Sequence, residues 1–284
     1  MASYVRPVDL GEALRCLASA KWTIVAGGTD YYPARVGRPL DDDVLDISGI
    51  GDFGDSRAIT EEGDHWRIPA LTTWSDLIAA DLPPLFDGLK LAARDIGGVQ
   101  IQNAGTVCGN LANASPAADG TPNLLAQDAM VELASQAGTR RLTVAAFVTG
   151  NRQTARRHDE LVSAILVPKP AAPARATFLK LGARRYLVIS IAMVAAVIEA
   201  APDGTVAKAG VAIGACSAVA QRLPELERTL AGASLRPGLG ERVRAAHLAG
   251  LSPLDDVRAS AEYRREAALT LVRRALERLA GGAA

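Results

Sequence analysis

Between Gln100 and Asp128 the chain reads Q-I-Q-N-A-G-T-V-C-G-N-L-A-N-A-S-P-A-A-D-G-T-P-N-L-L-A-Q-D. Asn103, Gly105, Thr106, Gly109 and Asn110 place five small or turn-forming residues within eight positions. That density is too high for a helix or strand interior and suits a backbone that must come close to another group. Thr106, Asn110, Asn113 and Ser115 add side-chain donors without bulk, and Leu124, Leu125 and Ala126 open an apolar run that reads as a helix after the turn. Such a stretch fits either a phosphate-rich ligand or a tight surface loop before a core helix.

A second bend lies roughly 80 residues upstream, where the strand-like run Trp22 to Ala26 ends in A-G-G-T-D, Ala26 to Asp30. Neither bend is a G-x-G-x-x-G, and no G-x-x-x-x-G-K-[ST] occurs, so the nicotinamide-type fingerprint and the P-loop are both excluded. Two glycine bends far apart in sequence suggest two loops closing on one extended ligand.

These residues resemble a known family. A-G-G-T-D, then G-T-V-C-G-N at Gly105 to Asn110, then S-P-A-A-D-G-T-P at Ser115 to Pro122 are similar to the FAD-binding medium subunit of the molybdenum hydroxylases, the family of xanthine dehydrogenase and aerobic carbon monoxide dehydrogenase. The likeness continues through Lys180 to Arg185, leading to Ile189, Ser190 and Ile191, and through the run Asp255 to Arg265, so it spans nearly the whole chain. It implies an α+β fold: a two-part FAD-binding domain of the vanillyl-alcohol-oxidase-like (PCMH) type, followed by a smaller domain of antiparallel sheet plus helices. It implies FAD on this chain, with Ile24, Val25, Ala26, Gly27, Gly28, Thr29, Asp30 and Tyr31 on one side of the cofactor and Thr106, Val107, Cys108, Gly109 and Asn110 on the other. The backbone N–H groups would do most of the clasping, assisted by the Thr29 and Thr106 hydroxyls. Asp119 would accept from a ribityl or adenosine hydroxyl, and Ile96, Val162 and Lys180 match further positions that touch the cofactor.

The resemblance further implies an electron-transfer subunit with no catalytic acid or base of its own. Its partners would be a large subunit carrying the molybdenum cofactor and a small subunit carrying [2Fe-2S] clusters, with an external electron acceptor. Two departures stand out: Cys108 replaces a glycine common in the family, which would bring a thiol close to the cofactor, and Gln102 stands where arginine is frequent. Two other readings stay open, a stand-alone FAD oxidoreductase of the same cradle type and a scaffold subunit without cofactor. Cys108 is the feature that favours the scaffold.

Composition narrows the field. Lysine plus arginine (31) equals aspartate plus glutamate (31), so no excess positive charge exists to neutralise nucleic acid or an anionic membrane. No apolar run reaches the roughly 18 residues that cross a bilayer, and the N-terminus lacks a signal-peptide layout, which reads as cytoplasmic. Cys16, Cys108 and Cys216 lie about a hundred residues apart, which excludes an iron–sulfur cluster held by this chain alone, and the scattered histidines give no metal site.

Along the chain, helices are expected over Asp9–Ser19, Trp74–Ala80 with Thr73 as N-cap, Leu85–Ile96, Glu225–Leu230, Glu241–Leu248 and Ser260–Leu279, with another starting at Tyr31–Val36. Strands are expected at Thr23–Ala26, Val44–Ile47, Leu161–Val167, Thr177–Leu181, Ser190–Glu199 and Val206–Ile213, with hairpins around 57–68 and 129–141. The basic, polar segment 151–158 reads as a solvated loop or an interaction loop. The proline-rich segment 168–173 divides residues 1–170, with a sub-boundary near 55, from residues 174–284.

Overall fold

The computed structural model describes residues 2–51 and 57–281. The sub-boundary expected near residue 55 lies outside the described residues. A small N-terminal unit contains β1 (Tyr4–Val5), α1 (Leu10–Ser19), β2 (Thr23–Val25) and β3 (Val44–Asp46), with the strands in the parallel order β1-β3-β2. Asp9 caps α1 by accepting from the Glu12 N–H at 2.7 Å, so Ala13 and Leu17 are aimed at Leu45 and Ile47 in a local apolar core. The helix expected over Tyr31–Val36 is only a 3-10 turn, Pro33–Arg35, which ends where Val36 leaves helical geometry at ψ 126°.

The next part of the chain runs β4 (Thr60–Glu62), β5 (His65–Pro69), α2 (Trp74–Ala79), α3 (Asp87–Asp95), α4 (Val99–Ala104), α5 (Val107–Ala112), α6 (Gly120–Ala126), β6 (Met130–Ser135), β7 (Gly138–Thr143), α7 (Val144–Phe147), β8 (Val148–Gly150), β9 (Gln153–Thr154) and β10 (Leu161–Pro168). Five of these strands form an antiparallel sheet in the order β4-β5-β10-β6-β7, and both expected hairpins are present. Thr73 caps α2 in a reciprocal box with Asp76.

Elements of this part also correct the sequence reading. The glycine- and asparagine-rich run after Thr106 is helical, because Thr106 Oγ1 accepts from the Gly109 N–H at 2.9 Å and starts α5. A side-chain cap offsets the poor helix propensity of Gly109 and Asn110 over so short a span. The pair β8 and β9 also lies where only loop was expected.

The rest of the chain comprises β11 (Ala174–Leu181), β12 (Ala192–Ala200), β13 (Val206–Gly214), β14 (Gln221–Arg222), α8 (Pro224–Leu230) and α9 (Ala261–Leu279). Its four strands form an antiparallel sheet in that order. Only residues 169–173 separate β10 from β11, and the two halves share a core. Along β12, Met193, Ala195 and Val197 join Trp74, Phe86 and Leu124 on one face, while Ala192, Val194, Ala196 and Ile198 meet Val272, Ala275 and Leu276 of α9 on the other. The strict alternation of a strand therefore buries both faces. Small residues allow the close fit. A Cβ at Gly210 would overlap Ala126 O and lie 3.0 Å from the carbonyl carbon of Ala126, so β13 rests directly on α6.

Residues 241–248 are not the expected helix. Two 3-10 turns, Leu239–Arg242 and Ala245–Leu248, replace it, because the backbone there is tied to α9: Glu277 accepts from the Gly238 and Gly240 N–H groups and Arg273 donates to Val243 O. Ahead of α9, Asp256 accepts from the Arg258 N–H and pairs with Arg264, a nearly fully buried residue that also donates to Ile191 O and Ala215 O.

The Arg258 N–H, then Arg264 and Arg258, hold the Asp256 carboxyl down at about 2. A depressed native pKa contributes stability above the ordinary carboxylate value, and that stability is lost as pH falls toward 2. Asp256→Asn is therefore expected to lower the melting temperature at pH 6. The gap from the parent chain should close between pH 4 and pH 2, as followed by thermal melts. A gap independent of pH would contradict the assignment.

Candidate cofactor site

The first bend is delivered by β2, whose Ile24 and Val25 pair with Leu45 and Asp46 of β3. At Gly27 a Cβ would lie 2.5 Å from the carbonyl carbon of Ala104, nearer still to its oxygen, and 3.0 Å from Gly105 N. A Cβ at Gly105 would in turn lie 3.2 Å from Thr29 Oγ1. The two glycine bends thus touch, backbone against backbone, and a side chain at Gly27 has no room. Gly28 has φ +66°, and beside it sits the edge of the half-exposed Tyr32 ring.

From Gly27 to Tyr31 no backbone N–H finds an acceptor among the described residues; the next one, on Tyr32, donates to Gly28 O at 3.1 Å. A run of partly exposed N–H groups without protein acceptors is chemistry suited to an anion. The second bend is fixed from below, where Trp74 N donates to Gly105 O and Val107 N donates to Thr72 O. Thr106 Oγ1 accepts from Gly109 N, and its own hydroxyl proton has no acceptor among the described residues. Asn110 Oδ1 accepts from Gly120 N at 3.3 Å and ties α5 to α6.

Asp119 and Lys180 also come together, across the two halves of the chain. Lys180 Nζ donates to Asp119 Oδ2 at 2.6 Å, with side-chain exposures of 8% and 6%. Ser190 Oγ donates to Asp119 Oδ1 at 2.7 Å. Burial pushes the Asp119 carboxyl pKa up, against the pull of the Lys180 charge and the two hydrogen bonds. Neither the partner lysine nor the serine, 61 and 71 residues away, was paired with Asp119 in the sequence reading.

Val162, on β10, lies in the main apolar core together with Val107, Cys108 and Leu111 of α5, and Ile96 is a half-buried residue closing α3. Tyr31 lies under the Arg35 guanidinium, 3.8 Å from its ring centroid, and donates its hydroxyl to Asp42. Gln102, at the position where the family often has arginine, donates to Ile96 O and Arg94 O and so caps the end of α3.

Cys108 corrects the sequence reading. Its thiol does not approach the bends: it is 3% exposed and points to the carbonyls of Ile68 and Pro69, and burial pushes its pKa up to about 12. The helical twist of α5 turns position 108 into the core, where a side chain is accommodated at ordinary φ. Cys108→Gly is accordingly expected to lower stability by about 1–2 kcal/mol, from lost burial and helix propensity, without changing flavin content. Urea denaturation and the visible absorbance of the purified variant check the two halves of that expectation.

A family model described as "FAD binding domain in molybdopterin dehydrogenase" matches residues 1–170, and one described as "CO dehydrogenase flavoprotein C-terminal domain" matches residues 177–279. The chain belongs to this family. Its members are FAD-binding medium subunits of molybdenum-dependent hydroxylases and dehydrogenases. The glyceraldehyde dehydrogenase medium chain of Sulfolobus acidocaldarius is 30% identical over 284 residues, covering 98% of each chain. The nicotine 6-hydroxylase medium subunit of Paenarthrobacter nicotinovorans is 29% identical over 280 residues, covering 96% of this chain and 95% of that one. Among solved structures, a chain of the reconstituted CO dehydrogenase from Oligotropha carboxidovorans superposes with a TM-score of 0.88 at 27% identity, covering 100% of this chain and 99% of the other. The medium-subunit fold, an FAD-binding domain followed by a smaller sheet-and-helix domain, is therefore the fold of this chain.

Proposed function

We propose that this medium subunit carries FAD in the two touching bends and serves as the electron-transfer component of a molybdenum hydroxylase assembly. Its partners are a large subunit with the molybdenum cofactor and a small iron–sulfur subunit, and it delivers electrons to an external acceptor. The observation that carries the reading is the backbone contact of Gly27 with Ala104 and Gly105, which makes one site of two distant motifs. The acceptor-free N–H groups from Gly27 to Tyr31 fit the pyrophosphate, and the Thr106 hydroxyl supplies a further donor. FAD, once bound, supplies the capacity to take up and release electrons.

In this reading the chain's own residues bind and orient. Ile24, Val25 and Ala26 aim the first bend, and Val107, Cys108, Gly109 and Asn110 form the helix that shapes the second. Asp119 and Lys180 hold the C-terminal sheet against it. Among the described residues no group of His, Cys, Asp and Glu is arranged to hold a metal. No helix among the described residues is long and apolar enough to cross a membrane.

The test is purification from the native host. A yellow protein whose colour is released by acid, with one FAD per chain and co-purifying molybdenum and iron, is the expected result. Colour retained in the acid precipitate would indicate a tethered flavin in a stand-alone oxidoreductase, and a colourless chain would indicate a scaffold. The inward-facing Cys108 thiol removes the feature that favoured the scaffold.

A further inference from the structure

Among the described residues no hydrogen bond runs directly between the first bend, 26–31, and the segment 103–115. The polar connection comes from a third place in the chain. Arg152 Nη1 donates to Asp30 Oδ2 at 2.6 Å and Nη2 approaches Asp30 Oδ1 at 3.4 Å, while Nη1 also donates to Asn113 Oδ1. The Arg152 backbone N–H donates to Ala114 O at 2.9 Å. Both residues of that backbone bond lie in the left-handed region, Arg152 at φ +58° and Ala114 at +49°, a conformation L side chains seldom adopt. Backbone held there on both sides of one contact marks a position that the surrounding structure dictates.

We propose that Arg152 is a positioning residue for the cofactor site, strapping the first bend to the second and cancelling the Asp30 charge beside the anion-binding backbone. This inference rests on the reading that the bends hold FAD. Two physical effects combine. The guanidinium fork holds one carboxylate and one amide in fixed relation, so the N–H groups of Gly27 to Tyr31 are arranged before the ligand arrives. Without Arg152, an uncompensated carboxylate one residue beyond Thr29 would repel a pyrophosphate. The segment read from sequence as a solvated or interaction loop is, on this account, a third wall of the site. Both side chains are about half exposed, 51% for Arg152 and 52% for Asp30, so the pair contributes little to global stability.

The test measures FAD affinity and folding separately, with flavin-stripped chain titrated with FAD by flavin fluorescence and the stripped chain melted alone. Arg152→Ala is expected to raise the FAD dissociation constant about tenfold, with the apo melting temperature unchanged, because the backbone bond to Ala114 survives. Arg152→Lys, which keeps the charge and loses the fork, should fall between. Asp30→Asn combined with Arg152→Ala should bind no more weakly than Arg152→Ala alone, since the repelling charge is then gone. Unchanged affinity in Arg152→Ala, or a double variant weaker by the full effect of Asp30→Asn alone, overturns the strap and leaves the FAD reading standing. A parent chain that takes up no FAD overturns both.

Discussion

Gly27→Ala is expected to strip the flavin from this subunit. The added Cβ would stand 2.5 Å from the Ala104 carbonyl carbon, against backbone that cannot rotate away as a side chain can. The bends must then separate by an ångström or more, and overpacking of this kind costs about 1–3 kcal/mol. Because the same movement takes the N–H groups of Gly27 to Tyr31 out of register with the second bend, most of that cost should appear in binding. A rise of roughly 100-fold in the FAD dissociation constant is expected, corresponding to about 2.8 kcal/mol.

Two comparisons keep the result interpretable. Gly28→Ala should be milder, because its strain comes from φ +66° and from the edge of a Tyr32 ring that can turn aside. Gly51→Ala, with no described residue within 4 Å of its would-be Cβ and no positive φ, should leave FAD content unchanged. Equal effects at Gly27 and Gly51 would mean that the touching bends have no part in holding the flavin. FAD titration of each stripped variant gives the ranking.

Asp119→Ala is expected to have the largest effect on stability. It leaves the Lys180 ammonium, 8% exposed, without its carboxylate, and breaking a buried pair by removing one partner costs about 3–5 kcal/mol. Ser190, fully buried, loses its acceptor as well. The pair bridges α6 and β11, so the loss should loosen the C-terminal sheet from the bends and lower flavin retention together with stability. Replacing both partners, as in Asp119→Leu with Lys180→Met, removes the stranded charge and should recover much of the stability without restoring the hydrogen bonds. Urea denaturation of the three chains decides the matter. A double variant as unstable as Asp119→Ala would show that the pair's hydrogen bonds, and not its charges, hold the halves together.

Short-range features of the fold were legible because their causes are local. Asp9 and Thr73 were read as helix caps and cap their helices, and the hairpins at 57–68 and 129–141 followed from alternation and turn residues. The family, too, was legible, since glycine bends keep their residue types wherever backbone must pass close to backbone. Three features were not legible. Helix α5 depends on the one bond from Thr106 to Gly109, and composition alone pointed to a loop. The direction of Cys108 depends on where that helix places it. The turns at 239–248 depend on Glu277 and Arg273, more than thirty residues on, which take the backbone bonds a helix would have kept for itself.

By itself the amino-acid sequence determined that two glycine bends exist, which residues flank them, and which family the chain resembles. Only the tertiary structure decided that Gly27 rests on Ala104 and Gly105, that Asp119 faces Lys180 and Ser190, and that Arg152 reaches both Asp30 and Asn113. The physical reason is one of range. Caps and turns arise from bonds within a few residues, whereas the buried Asp119–Lys180 pair and the half-exposed Arg152–Asp30 pair form only after the sheets and helices have closed, at sequence separations of 61 and 122 that no local pattern encodes.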